Sequence, residues 1–299
     1  MVGPRNLSAA LFAMGSTAIL SFVDNFVAEM ARTHGLWQFH VIRAIIGLPL
    51  LIIGGRVLGM RLGPISWPKL AARSLAVSTG LFIYFAALGT LSVPQAGAGV
   101  FSAPIWVLIL SALLFRSPVS AAQGATIVAG FCGALMLLQP DFANFTVLSL
   151  IPLAAGMFYG LGVLLTRFWC ADESPIALAL GIFVTMAGMS LVLLLWFTFG
   201  PQQGGESFTT RGWAPITLYF LGLVAIQAVG AVVAVTLIAQ AYRIGTPAYV
   251  AVFEYSFLIF ASFWSFLLWG QTTNWLAWCG IAVIIASGLV MSVLQQRQS

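Results

Sequence analysis

Apolar residues run along the chain in ten blocks separated by short polar turns, and each block is about as long as the roughly 20 residues that cross a hydrocarbon core. The blocks lie at 7–31, 35–55, 71–91, 95–115, 119–138, 145–167, 175–199, 214–242, 247–269 and 276–294. A transmembrane barrel strand is about ten residues of alternating polarity. Stretches such as LAVSTGLFIYFAALGTL (75–91) and LAWCGIAVIIASGLVMSVL (276–294) are instead apolar on every face. Backbone polar groups find no water in lipid, so such blocks span as helices. The pattern predicts an all-α polytopic membrane protein with ten transmembrane helices. The first block follows a lone Arg5 but is longer than the core of a signal peptide, and nine more follow it, so it reads as a span.

Composition supports the same class. Of 299 residues, 61% are hydrophobic and 6% charged, against about 25% charged in soluble domains. Ten spans leave no room for a nucleotide-binding or soluble catalytic domain, so function must sit in the bundle. The net charge of +5 reflects topology and not a nucleic-acid partner. With the N-terminus inside, the inner loops and tails hold nine cations (Arg5, Arg56, Arg61, Lys69, Arg73, Arg116, Arg167, Arg243 and Arg297) and the outer loops two (Arg32 and Arg211). That bias places both termini in the cytoplasm. The three cysteines, Cys132, Cys170 and Cys279, have no ligand spacing and read as packing residues.

The two halves echo each other. AALGTLSVPQAGAGVFSAPIW (86–106) aligns with AQAYRIGTPAYVAVFEYSFL (239–258), setting Pro94 opposite Pro247, Phe101 opposite Phe253 and Ser102 opposite Glu254. A weaker echo sets SFVDNFV (21–27) against MFYGLGV (157–163). Repeats of about 1–140 and 141–299 hold five spans each, and an odd number makes the second copy enter from the opposite face. Two inverted five-helix repeats are the build of secondary transporters, with the site at the repeat interface near the midplane.

Several residues carry a family resemblance. They are Asp24-Asn25-Phe26-Val27 late in span 1, Arg43 early in span 2, the A-L-x-x-x-S-V-P-Q-A run closing span 3, and Pro104 in span 4. With the ten spans and the repeat, the chain resembles the drug/metabolite transporter superfamily, and within it the EamA-type exporters. It is most similar there to bacterial aromatic amino-acid exporters. The resemblance implies outward transport of a small organic solute. The chain departs from the pattern where an acidic residue often follows span 4 or span 9, because Arg116-Ser117 and Gln271 stand there instead.

Charges at helix centres cost about 2.5–3.5 kcal/mol on insertion scales, so Asp24, Arg43 and Glu254 are candidates for function. Asp24, with Asn25 beside it, and Arg43 fall at similar depth. They serve either as an ion pair joining spans 1 and 2, with Glu29 and His40 near, or as a vestibule in which Arg43 meets a carboxylate. Glu254 reads either as a carboxyl bonded to a neighbouring helix or as a cavity residue meeting an ammonium or a proton. Tyr84, Trp106, Tyr159 and Tyr255 fall near mid-span and form a candidate aromatic lining. Spans 5 and 10, rich in glycine and alanine, suit close helix packing at the bundle periphery, in support of the bundle or of a homodimer. Pro94, Gly245 and Pro247 are candidate hinges.

The expected function is alternating-access export of neutral or aromatic amino acids across the cytoplasmic membrane, with no cofactor and with the lipid bilayer as its other partner. Alternatives are a sugar-conjugate, nucleotide-sugar or cationic drug carrier of the same superfamily, and a non-transporting scaffold. An intramembrane enzyme has no support: His34 and His40 stand together at one edge, without H-E-x-x-H spacing or a nucleophile and base.

Overall fold

The structure is a computed structural model and describes residues 4–87, 93–117, 119–140, 150–202 and 204–296. The predicted end of span 3, the predicted start of span 6 and Arg297 lie outside the described residues. Ten apolar helical passes long enough to cross a membrane are present, with no strand among the described residues. Seven passes are single helices: α3 (Leu36–Val57), α4 (Trp67–Ala87), α7 (Ala121–Leu138), α8 (Ile151–Trp169), α9 (Pro175–Phe199), α10 (Leu218–Ile244) and α13 (Trp275–Gln296). The other three are broken. Span 1 is α1 (Pro4–Asp24) and α2 (Val27–Ala31), span 4 is α5 (Val93–Val100) and α6 (Ala103–Phe115), and span 9 is α11 (Pro247–Glu254) and α12 (Ser256–Trp269).

The breaks in spans 4 and 9, at Phe101–Ser102 and at Tyr255, fall within a residue or two of each other in the alignment of the repeats. In span 4 the cause is Pro104, which has no N–H to offer Val100 and so frees a carbonyl. Ser102 takes up part of the slack by donating its hydroxyl to Gly99 O at 2.5 Å. In span 9 the chain tightens to i→i−3 bonds around Tyr255, and Ser256 Oγ donates to Phe253 O at 2.6 Å. At both joints a serine hydroxyl thus meets a backbone carbonyl beside the interruption of the helix ladder.

Packing follows the duplication. α4 lies against α8, and its equivalent α10 lies against α1. The broken span α5/α6 packs on α8 as α11/α12 packs on α1, and α3 with α10 is matched by α9 with α4. The pairs α3 with α9 and α7 with α13 are their own equivalents. Exchanging the halves maps these principal contacts onto one another, as two inverted five-helix repeats about a pseudo-two-fold axis require, while α10 alone adds contacts with α8 and α9 that its equivalent α4 does not match with α1 and α3.

Two close approaches hold the bundle. A Cβ at Gly80 would lie 2.7 Å from Ala155 O and Tyr159 N, so α4 and α8 meet backbone to backbone. At the α7–α13 crossing, a Cβ at Gly133 would lie 2.9 Å from Gly280 O, and one at Gly280 would lie 2.6 Å from Gly133 O. Small residues permit such approaches, which supply van der Waals contact where lipid removes the hydrophobic drive between helices. Cys170 is buried, whereas Cys132 and Cys279 are exposed on the outer faces of α7 and α13.

Polar clasps close both ends. At one end Glu173 accepts bonds from Ile65 N (2.8 Å) and Ser66 N (2.9 Å), Arg243 donates to Glu173 O (3.0 Å) and Arg167 donates to Arg243 O (2.7 Å). At the other, the 200–217 loop is tied to the start of α3. Trp37 Nε1 donates to Thr209 O (2.8 Å), and Gln38 exchanges two bonds with Ala214 (2.7 and 2.9 Å). His34 stacks on Phe220 at 3.6 Å with Nε2 3.1 Å from Pro215 O. A carbonyl only accepts, so Nε2 carries the proton. Burial holds His34 below its ordinary pKa of 6.5 and keeps the ring neutral.

The glycine crossing makes the first prediction. Gly133→Val should force α7 and α13 apart and destabilise by about 1–3 kcal/mol, read as a lower unfolding midpoint of the purified protein in detergent. A midpoint equal to the parent's would mean that the crossing does not constrain the pair.

Candidate functional site

A cavity of about 190 Å³ lies between the repeats, bounded by both broken joints and by α1, α4, α8, α9 and α10. One water needs only about 10–15 Å³ on this measure, so the space holds a small organic solute. Each helix contributes one stripe. From α4 come Arg73, Val77, Leu81 and Tyr84, from α1 Thr17, Leu20 and Asp24, from α8 Tyr159 and Val163, and from α10 Val235, Ile238 and Tyr242. Spacings of three and four are what a helix of 3.6 residues per turn presents to one side. Phe101 of span 4 and Phe257 of span 9 pair at the cavity wall, 5.6 Å between ring centroids.

Glu254 ends α11 at the joint of span 9. Tyr159 donates its hydroxyl to Glu254 Oε1 at 2.6 Å, and the Tyr242 hydroxyl donates to Oε2. Each carboxyl oxygen thus has one tyrosine hydroxyl as its partner. Close by, Thr17 Oγ1 and Ser256 Oγ lie 2.8 Å apart and tie α1 to the joint. The carboxyl group is therefore held in place, facing a cavity with largely apolar walls. It can take a proton or face an organic cation there.

Asp24, Tyr84, Tyr159 and Glu254, all singled out in the sequence, line this cavity. Four other candidates stand elsewhere. Tyr255 follows Glu254 directly, and a helical step of about 100° turns it away. It is fully buried with its ring against Gly130 of α7, where a Cβ would lie 2.8 Å from it. Trp106 lies on α6 with its Cβ toward Gly160 of α8. Asn25 occupies the break of span 1, donating to Ser21 O at 2.7 Å and accepting from Ser265 Oγ at 3.4 Å. Arg43 places its guanidinium carbon 5.4 Å from both the Phe39 and Phe183 ring centroids.

The expected pairing of Asp24 with Arg43 is not formed. Asp24 Oδ1 accepts from Gln227 Nε2 at 3.4 Å, and Glu29 pairs with Arg32 at 3.0 Å, which among the described residues is the one ion pair. Neither His40 ring nitrogen has a partner among the described residues.

Among the lining residues that escaped the sequence reading, Arg73 and Tyr242 bear most on the chemistry. Arg73 was counted with the cytoplasmic loops, yet it is 3% exposed inside the bundle, with Nε donating to Thr166 Oγ1 and NH1 to Leu178 O, both at 2.8 Å. The signal was present: stepping back from Tyr84 along α4 at helical spacing reaches Leu81, Val77 and Arg73. Tyr242 lay at the predicted end of span 8, where nothing in the local sequence separates a lining tyrosine from an interfacial one.

An apolar bundle that buries a carboxylate at the joint of a broken helix, between two equivalent halves, has the build of a membrane transporter. Comparison with known families agrees. The EamA-like transporter family matches twice, over residues 7–139 and 146–293, and the chain belongs to that family. The pseudopaline exporter CntI of Pseudomonas aeruginosa is 22% identical over 286 residues, covering 95% of this chain and 96% of that protein. The riboflavin transporter of Vibrio cholerae is 24% identical over 294 residues, covering 95% and 93%. A solved crystal structure superimposes with a TM-score of 0.78 at 18% identity, covering 96% of this chain and 99% of that one, and shares the fold.

The two tyrosines act on one group and should not behave independently. A double-mutant cycle between Tyr159→Phe and Tyr242→Phe, read by unfolding in detergent, should give a coupling of about 0.5–3 kcal/mol. The coupling should vanish in a Glu254→Gln background. Additivity in the parent would mean that the carboxyl group is not shared.

Proposed function

We propose that this protein is a secondary transporter of the cytoplasmic membrane that exports small organic solutes, neutral and aromatic amino acids foremost, by alternating access. The observation that carries the reading is the Glu254 carboxyl, held by Tyr159 and Tyr242 in a cavity between the inverted repeats. Its role is to receive the ammonium group of the solute, or a proton in its place. Tyr84, Phe101 and Phe257 offer π-faces to a planar side chain, and Asp24 stands at the far end of the same cavity. Of the sequence candidates, Asn25, Trp106, Tyr255 and Arg43 act indirectly in this reading, by holding the joints and the flanking helices.

A second reading, transport of a larger planar metabolite, draws on the aromatic walls and on relatives named for pseudopaline and riboflavin. Apolar walls discriminate loosely, since one methylene is worth only about 1–3 kcal/mol, so both readings predict a broad range. Counterflow in proteoliposomes separates them. Saturable exchange of phenylalanine, leucine and related neutral amino acids is expected, with Glu254→Gln changing its rate or pH dependence while membrane insertion stays normal. Exchange of riboflavin with none of any neutral amino acid would favour the second reading, and exchange of a sugar phosphate alone would end both.

Both termini belong in the cytoplasm in this reading, on the strength of the charge bias between loops. Single cysteines in the 200–212 loop should then react with an impermeant thiol reagent added to intact spheroplasts, while those in the 56–66 loop should not. The reverse labelling would invert the orientation.

A further inference from the structure

Arg73 is the buried cation of the cavity wall, and no ion pair among the described residues neutralises it. The two bundle carboxylates are engaged elsewhere, Glu254 with Tyr159 and Tyr242 and Asp24 with Gln227. No carboxylate oxygen among the described residues lies within ion-pair distance of Arg73. A guanidinium carries five N–H donors. Two of them go to Thr166 Oγ1 and Leu178 O, both neutral acceptors at 2.8 Å. NH2 has no hydrogen-bond partner among the described residues, and the residue borders the cavity. Leaving a buried charge without a counter-charge is the costly arrangement in a low-dielectric interior, and intramembrane cations mark solute paths. The two bonds also hold the side chain to α8 and α9, so it is oriented before a solute arrives. Tyr159 stands between the charges, bonded to Glu254 and within electrostatic reach of Arg73.

We propose that Arg73 is a carboxylate-binding residue of the cavity, so that a transported solute places an anionic carboxylate at Arg73 while its cationic or hydroxyl-bearing part faces Glu254. A forked guanidinium suits a carboxylate bidentately. The assignment deepens the amino-acid reading and rests on it for the Glu254 end alone. Solutes lacking a carboxylate, such as simple amines, are then poor cargo even where their aromatic part fits.

Each end has a separate probe. Benzoate carries an aromatic ring and a carboxylate without an ammonium, and benzylamine carries the ring and the ammonium without a carboxylate. Thermal unfolding of the purified full-length protein in detergent is followed as each is titrated. Benzoate should protect the parent protein, with the protecting concentration rising by roughly tenfold or more in Arg73→Gln. Benzylamine protection should survive in Arg73→Gln and disappear in Glu254→Gln, which a merely structural Arg73 would not produce. Arg73→Lys, which keeps the charge but loses the fork, should show a smaller rise for benzoate, and it decides the matter if Arg73→Gln does not fold. Benzoate protecting the arginine variants as it protects the parent would overturn the proposal, as would benzoate failing on the parent. Benzoate acting through Arg73 while benzylamine protects nothing would uphold Arg73 and remove the Glu254 reading.

Discussion

Lipid supplies no hydrogen bonds, and the rest of the bundle follows from that constraint. A helix can stop inside the membrane only where protein or a cavity meets the groups it leaves open. Spans 4 and 9 both stop at the cavity, and at each joint a serine hydroxyl, Ser102 or Ser256, is turned back onto a carbonyl of the preceding turn. The joint in span 9 also ends α11 at Glu254, so the backbone interruption and the acidic side chain arrive together. Without the break, Glu254 would sit in a continuous helix whose neighbours on both sides are apolar.

Charge is arranged just as sparingly. Two carboxyl and two guanidinium side chains reach into the bundle among the described residues: Asp24, Glu254, Arg43 and Arg73. Opposite charges are kept apart and each is held by neutral groups, namely tyrosine hydroxyls, a glutamine amide, a threonine hydroxyl, a backbone carbonyl and phenylalanine faces. Direct pairing would satisfy the charges internally and close the space between them. Neutral partners orient the charges without cancelling them, which leaves their electrostatic demand directed at whatever enters.

The number of spans and the duplication were legible because both are carried by blocks of 20 or so residues, long enough to average over local detail. The broken helices were half legible. Pro104 announces one break, but span 9 has no proline at Tyr255, and its break follows from packing around the joint. The site was legible by residue type and not by direction. Tyr84, Tyr159 and Glu254 were found because buried polar groups in lipid demand a reason. Tyr255 was chosen by its depth in the span, and depth does not tell which way a residue points when adjacent helical residues point about 100° apart. Arg73 was lost because a cation three residues into a predicted span looks the same as one that snorkels to the surface.

The repeat-related helix contacts bear on the thermodynamics of conformational change. Where a helix pair has a counterpart in the other half, exchanging the roles of the halves rebuilds that pair's contacts toward the opposite end of the bundle. Two such conformers would be close in free energy by construction, and a modest bias would select between them. The bias would have to come from positions where the repeats differ in chemistry. The plainest of these is the broken joint itself, which carries a carboxylate at Glu254 in one half and a hydroxyl at Ser102 in the other. A duplication that evens out the principal helix contacts thereby leaves directionality to the mismatched side chains around the cavity.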